Sequence, residues 1–255
     1  RSFKGSKRDA ATALTNFAAE VSNGKYGDAG RMTVREHVES WLRDHAAVTV
    51  APKTFERYDE LLRLHVVPYI GELRLSHLAP VHVQQLRATL LRDGRRPRAH
   101  RKTGTISRAI EPAGLSPQTV KSVFIVLGSA LRQAIKLQLI AVNPAAAIDK
   151  PKVERKEIRV FSDDEVRALF ESARGRWMSL AILLAFTTGL RRGELLALRW
   201  SDLDLDGGLL SVRQSLEETR SGLRFKSPKT NRSHRTITLP ASTIAALRNH
   251  EKQQK

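Results

Sequence analysis

Two arginines stand at the seam between two apolar segments in residues 187–200, TTGLRRGELLALRW. Gly189 falls where a helical apolar pattern stops, and a glycine there can take the left-handed conformation that lets the chain reverse without strain. Arg191 then projects from a rigid corner. Glu194 lies a turn further on, along the same helical face, near enough to pair with an arginine and hold its fork still. A guanidinium so held matches the oxygens of a phosphate in two-pronged geometry and cannot lose its proton. That suits the charge that builds up during phosphoryl transfer. The same residues at the same spacing also make an ordinary helix start with surface arginines.

A second basic cluster lies in residues 226–240, KSPKTNRSHRTITLP. Lys226, Lys229, Arg232 and Arg235 fall on or beside a turn, from which a lysine can deliver a proton or grip a phosphate. Charge on an exposed hairpin also protects a sheet edge, so the cluster alone leaves both readings open. His234 reads as a strand residue rather than a general acid. A third run, residues 93–114, sets Arg95, Arg96, Arg98, Arg101, Lys102 and Arg108 against only Asp93 and Glu111. It reads either as a solvated loop or as an arm that contacts phosphates.

These groups need a scaffold, and the chain can build one. Its 255 residues are 41% hydrophobic, enough for one large or two medium domains. Lys and Arg number 44 against 26 Asp and Glu, a formal charge of +18, which points to nucleic acid as the partner. No apolar stretch approaches the ~20 residues of a spanning helix, and no amphipathic segment pairs bulky aromatics with a basic face, so no membrane partner is expected. The absence of cysteine excludes disulfides, thiolate catalysis and cysteine-ligated zinc. No signal peptide, Gly-rich phosphate loop or metal-ligating acidic cluster is visible, so neither a metal nor a cofactor is expected.

Periodicity predicts an Ala-rich helix over about 7–21, a helix capped by Thr33 that buries Val34, Val38, Trp41 and Leu42, and further helices over 52–64 and 80–91. Ser116 and Pro117 open a long helix that carries Lys121 and runs to about Leu139. Residues 143–160 read as a linker. Ser162 and Glu165 form a capping box that starts a new domain. Helices are expected at 163–173 and 177–187, then one small antiparallel sheet from 209–214, 223–226 and 235–239, and a last helix from about Ser242. The fold class is mainly α with a small antiparallel β-sheet.

The segment TTGLRRGELLALRWSDLDLD, followed by a hairpin with KSPKTNRSHRTITLP, resembles the first half of the catalytic domain of tyrosine recombinases, the phage-integrase family. Its pattern here is Thr-Gly-Leu-Arg-x-x-Glu-Leu, then Lys-Thr-x-x-Ser-x-Arg. The upstream segment LSPQTVKSVFIVLGSALRQAIKLQLIAVNPA is similar to the family's helical, SAM-like core-binding domain. The resemblance covers nearly the whole chain. It implies the end of an arm-binding domain at 1–30, a core-binding domain at 31–145, a linker at 146–160 and a partial α+β catalytic domain at 161–255.

By that resemblance Arg191 holds the scissile phosphate, Glu194 supports it, and Lys229 protonates the leaving 5′ oxygen. Arg95, Arg96, Arg98, Arg101, Lys102, Lys121, Lys226, Arg232 and Arg235 are expected on the DNA. Duplex DNA resembling an attachment site is the implied partner, with a homo-oligomer on DNA when the protein is complete, in a bacterial cytoplasm or nucleoid or encoded by a phage. The family's His-x-x-Arg motif and nucleophilic tyrosine lie beyond the hairpin, whereas Tyr26, Tyr58 and Tyr69 all precede Arg191. The chain is therefore expected to be an incomplete recombinase, inactive alone. A non-catalytic DNA-binding protein with the same two domains is the alternative.

Overall fold

The computed structural model describes residues 6–22, 28–95, 113–154, 157, 159–227 and 234–254, and the chain divides into two compact units, Arg1–Arg155 and Lys156–Lys255.

The first unit is helical. After α1 (Lys7–Ser22), Thr33 caps α2 (Val34–Ser40) in a full capping box, with Glu36 reaching back to the Thr33 amide. The helix continues through a wider π segment, Trp41–Ala46, and a last turn, Ala47–Thr49. Pro52 opens α3 (Pro52–His65) and Pro80 opens α4 (Pro80–Asp93), each where a missing N–H costs nothing. Ser116 caps α5 (Pro117–Lys136) by accepting from the Thr119 amide.

The apolar periodicity of these helices meets in one core. Val34, Val38, Trp41 and Leu42 from α2 and its extension pack with Leu61, Leu62, Leu86, Leu90, Leu127 and Leu131. Trp41 stacks on Tyr58 with ring centroids 5.8 Å apart. His37 is buried here, and its Nε2 lies 2.9 Å from the Ala130 carbonyl oxygen. The stretch read as linker opens with a 3-10 turn, Pro144–Ala147, whose Pro144 and Ala145 are buried and whose Asn143 amide donates to the Gly128 carbonyl.

In the second unit Ser162 and Glu165 form the capping box of α6 (Asp163–Ala173). The helix α7 (Ser179–Thr188) ends at Gly189, which has φ +62 and ψ +24, the left-handed stop expected of it. A single turn, α8 (Arg192–Leu195), follows. The strands are β1 (Leu203–Asp204), β2 (Leu209–Val212), β3 (Ser215–Thr219), β4 (Gly222–Lys226) and β5 (Arg235–Thr238), and α9 (Ala241–Gln254) comes last.

These strands form two antiparallel sheets rather than one. One has the order β1-β2-β5, and the other is the β3-β4 hairpin. The run expected at 223–226 pairs with β3, not with the sheet that carries 235–238. Strand β3 reads Ser-Leu-Glu-Glu-Thr, without alternation and with two adjacent glutamates of low strand propensity, so sequence periodicity missed it. Leu184, Leu190, Leu210, Val212, Leu239 and Leu247 make the core of this unit. Among the described residues no helix is long and apolar enough to cross a membrane.

Candidate nucleic-acid and phosphate site

The corner between α7 and α8 determines where the first candidate residues point. Gly189 reverses the chain, Leu190 is buried as an anchor, and Arg191 takes the extended conformation that precedes a helix. Arg191 occupies the N-cap position of α8. Its backbone N–H donates to Glu194 Oε2 at 3.0 Å, and its Nη1 donates to Glu194 Oε1 at 2.8 Å. The pairing expected from spacing is therefore present. The Glu194 side chain is 4% exposed and that of Arg191 is 71% exposed, so a buried carboxylate holds one end of a fork that otherwise faces solvent.

Sequence reasoning missed the second partner of that carboxylate. Arg235, the first residue of β5, donates from Nη2 to Glu194 Oε2 at 2.9 Å and from Nη1 to Oε1 at 3.3 Å. Residues so far apart in the chain carry no local spacing signal, and only the register that sets Arg235 opposite Val212 of β2 brings them together. The Arg235 fork, with the Arg191 amide and guanidinium behind it, holds Glu194 down to about 2 against the opposing push of burial. Glu194 in turn raises Arg235. The carboxylate stays ionised across the physiological range.

The remaining candidates separate into groups. Lys226 pairs with Glu217 across the β3-β4 hairpin and is partly buried, so its ammonium is engaged within the sheet. Arg192 is exposed at the helix start, and His234 is exposed just ahead of β5. In the first unit Arg95 is exposed and its amide donates to the Ala113 carbonyl at 2.8 Å, which closes the base of the basic loop. Lys121 lies half-buried on α5, a helix without a single acidic residue. Lys229, Arg232, Arg96, Arg98, Arg101 and Lys102 lie outside the described residues. Of the tyrosines, Tyr26 also lies outside them, and Tyr58 is committed to its stack on Trp41.

Chemically, the corner can bind an anion whose charge grows during a reaction. Its guanidinium is always charged, and the buried carboxylate limits its motion, so little reorganisation is needed when charge appears. A cavity of about 670 Å³ lies elsewhere in the unit, lined by Phe170, Arg174, Trp177, Leu183 and His250. It includes neither Arg191 nor Glu194. An open corner rather than an enclosed pocket suits a phosphate that is part of a long polymer. Among the described residues, no three His, Asp or Glu side chains gather as metal ligands would.

Comparison with known proteins finds similarity along most of the chain. Residues 33–91 match the phage integrase N-terminal SAM-like domain, and residues 159–254 match the phage integrase family. A tyrosine recombinase XerC-like protein of Caldanaerobacter subterraneus subsp. tengcongensis is 25% identical over 98% of this chain and 63% of its own length. Tyrosine recombinase XerC of Xanthomonas campestris pv. campestris is 41% identical over 39% of this chain and 32% of its own. The chain thus spans less than two thirds of these relatives. Among solved structures, Tn1549 transposon integrase in complex with a circular intermediate DNA superposes with a TM-score of 0.69 at 20% identity, over 88% of this chain and 66% of that one. A lambda integrase tetramer bound to a Holliday junction gives 0.58 at 16%, over 99% and 77%.

Proposed function

The chain belongs to the phage integrase family of tyrosine recombinases, and on that footing we propose that it supplies the DNA-holding and phosphate-gripping parts of a site-specific recombinase that cuts and rejoins duplex DNA. The observation that carries this reading is the Arg191–Glu194 corner: an exposed guanidinium fixed by a carboxylate that is itself buried and ionised.

In the proposed reaction a tyrosine hydroxyl attacks the scissile phosphorus, the bond to the 5′ oxygen breaks, and the phosphate passes to the protein as a 3′-phosphotyrosyl link. Negative charge grows on the non-bridging oxygens as the nucleophile closes in. Arg191 meets that charge with two parallel N–H donors. The departing 5′ oxygen leaves as an alkoxide unless it is protonated, and Lys229 is proposed as the donor. Glu194 touches no substrate atom and serves to hold Arg191. The surplus of positive charge, with Arg95, Lys121 and the loop containing Arg96, Arg98, Arg101 and Lys102, is proposed to bind the DNA backbone. Arg232 is proposed to do the same from the catalytic unit, whereas the pairing of Lys226 with Glu217 withdraws that lysine from the expected set. Assembly of several copies on a DNA substrate belongs to the same reading, supported by the lambda integrase tetramer among the structural neighbours.

Fluorescence anisotropy with a labelled duplex tests the DNA-holding part. The logarithm of the binding constant should fall linearly with the logarithm of salt concentration, with a slope of about −0.9 per phosphate neutralised. Absence of binding to duplex DNA, or a profile flat in salt, would overturn the proposal.

A further inference from the structure

We propose that Arg235 is a positioning residue rather than a DNA contact: by gripping both oxygens of Glu194 from strand β5, it fixes the carboxylate that holds Arg191 and so sets where the Arg191 guanidinium points. The meaning of this for phosphoryl transfer rests on the function proposed above. The geometry itself does not.

Four hydrogen bonds saturate the Glu194 carboxylate. Oε1 receives Arg191 Nη1 at 2.8 Å and Arg235 Nη1 at 3.3 Å, while Oε2 receives the Arg191 amide at 3.0 Å and Arg235 Nη2 at 2.9 Å. Each terminal nitrogen of Arg235 therefore directs an N–H at this carboxylate. A phosphate that sought the same two-pronged grip would have to displace Glu194, leaving a buried anion with less compensation. Arg191 is placed differently: among the described residues only its Nη1 is engaged from the side chain, which is 71% exposed against 31% for Arg235.

The two arginines also differ in what anchors them. Arg191 precedes a single helical turn, a weak support for a side chain that must hold its place. Arg235 pairs with Val212 in the β2-β5 ladder, beside the fully buried Leu210. Its grip carries the rigidity of the sheet to Glu194, and through Glu194 to Arg191. A mostly exposed arginine alone compensates a buried carboxylate poorly, because solvent screens it. The half-buried Arg235 provides what Arg191 lacks. Arg235 also ends the connection that bears Lys229, so the same grip ties the end of that connection to the Arg191 corner.

Side-chain NMR on the whole chain tests this directly, with the Arg191 Nε–H and Nη signals as the readout. In the unmodified protein Arg191 should show restricted motion. Arg235→Met should release it to the averaged signal of an exposed arginine, whereas Arg248→Met, which breaks the surface pair with Asp206, should leave it unchanged. Arg235→Lys is the milder change and serves if Arg235→Met does not fold. A single ammonium cannot reproduce the fork, so Arg191 should be partly released, and its signal should become sensitive to acid at a higher pH than in the unmodified protein. An Arg191 signal unchanged in a folded Arg235 variant overturns the proposal.

A second arm distinguishes positioning from phosphate contact. The salt slope of duplex binding should be the same for Arg235→Met or Arg235→Lys as for the unmodified chain, whereas loss of a phosphate contact by Arg235→Met would reduce it by about 1; that reduction would overturn the proposal. If the chain binds no duplex at all, the functional reading fails and the NMR arm still decides the role of Arg235.

Discussion

A Cβ built on Gly193 would lie 2.6 Å from the Leu216 carbonyl oxygen and 2.5 Å from Ser215 Oγ, so the turn that carries Glu194 rests on the start of β3 with no room for a methyl group. Gly193→Ala must push the two apart, and overpacking of this kind costs about 1–3 kcal/mol. Gly189 differs, because open space surrounds its Cβ position but its φ is +62; an alanine there pays the left-handed penalty of roughly 1–2 kcal/mol. Asparagine separates the two causes. Gly189→Asn should recover part of the loss, because asparagine tolerates that conformation, whereas Gly193→Asn should be worse than alanine. Urea midpoints that rank the two asparagine variants the other way would refute the close contact.

Glu194 makes the second unit sensitive to acid in a defined window. Its folded value is about 2 against an ordinary 4.5, with the Arg235 fork as the main cause. Between these values the unfolded chain holds a proton that the folded chain refuses, so stability falls as the pH drops. The contribution is complete above about pH 4.5 and is lost as the pH falls through the folded value of about 2. Glu194→Gln should be less stable than the unmodified chain at neutral pH, and the gap should narrow on acidification from 5 to 3. A gap constant over that range would mean the carboxylate charge contributes nothing.

The contrast between Glu194 and Arg235 shows what a sequence can and cannot disclose. Local chemistry was legible: the Thr33 and Ser162 caps, the prolines that open α3, α4 and α5, and the left-handed Gly189 all act within one turn of the chain. The Arg191–Glu194 pair was legible for the same reason. Arg235 reads from the sequence as one more cation near DNA, because its carboxylate partner is brought to it only by the β2-β5 register. Strand β3 was hidden by its glutamates, one of which, Glu217, is there to meet Lys226 on the facing strand. What the sequence concealed was long-range pairing, in which residue types suited to a surface are used inside a sheet.

His37 gives the helical unit a pH dependence of its own. Burial lowers its imidazole below the ordinary 6.5, and the bond to the Ala130 carbonyl opposes this only in part. As the pH falls below about 6.5, the unfolded chain takes a proton that the folded chain resists, so stability declines until the folded value is reached. Glutamine can donate to the same carbonyl without titrating. Hydrogen exchange of the α5 amides should therefore speed up between pH 7.5 and 5.5 more in the unmodified chain than in His37→Gln, after correction for the intrinsic rate. Parallel profiles would assign the acid sensitivity elsewhere.

The roles proposed for Arg191 and Lys229 separate cleanly by the leaving group, in a form of the protein extended to the length of its curated relatives. If Arg191 stabilises charge on the scissile phosphate, Arg191→Ala should slow cleavage by at least ~10²-fold, the scale of losing one pre-positioned electrostatic donor. Duplex binding should change far less, because many other backbone contacts remain. Lys229→Ala should also slow cleavage, but for a different reason: the 5′ oxygen would leave without its proton. Replacing that oxygen with sulfur gives a leaving group that departs as a thiolate and needs no proton. Such a substrate should restore much of the rate to Lys229→Ala and little to Arg191→Ala, since sulfur does nothing for charge on the non-bridging oxygens. Equal rescue of both variants would place the two residues in one role, and an unchanged rate in both would return them to a surface helix start and a charged hairpin.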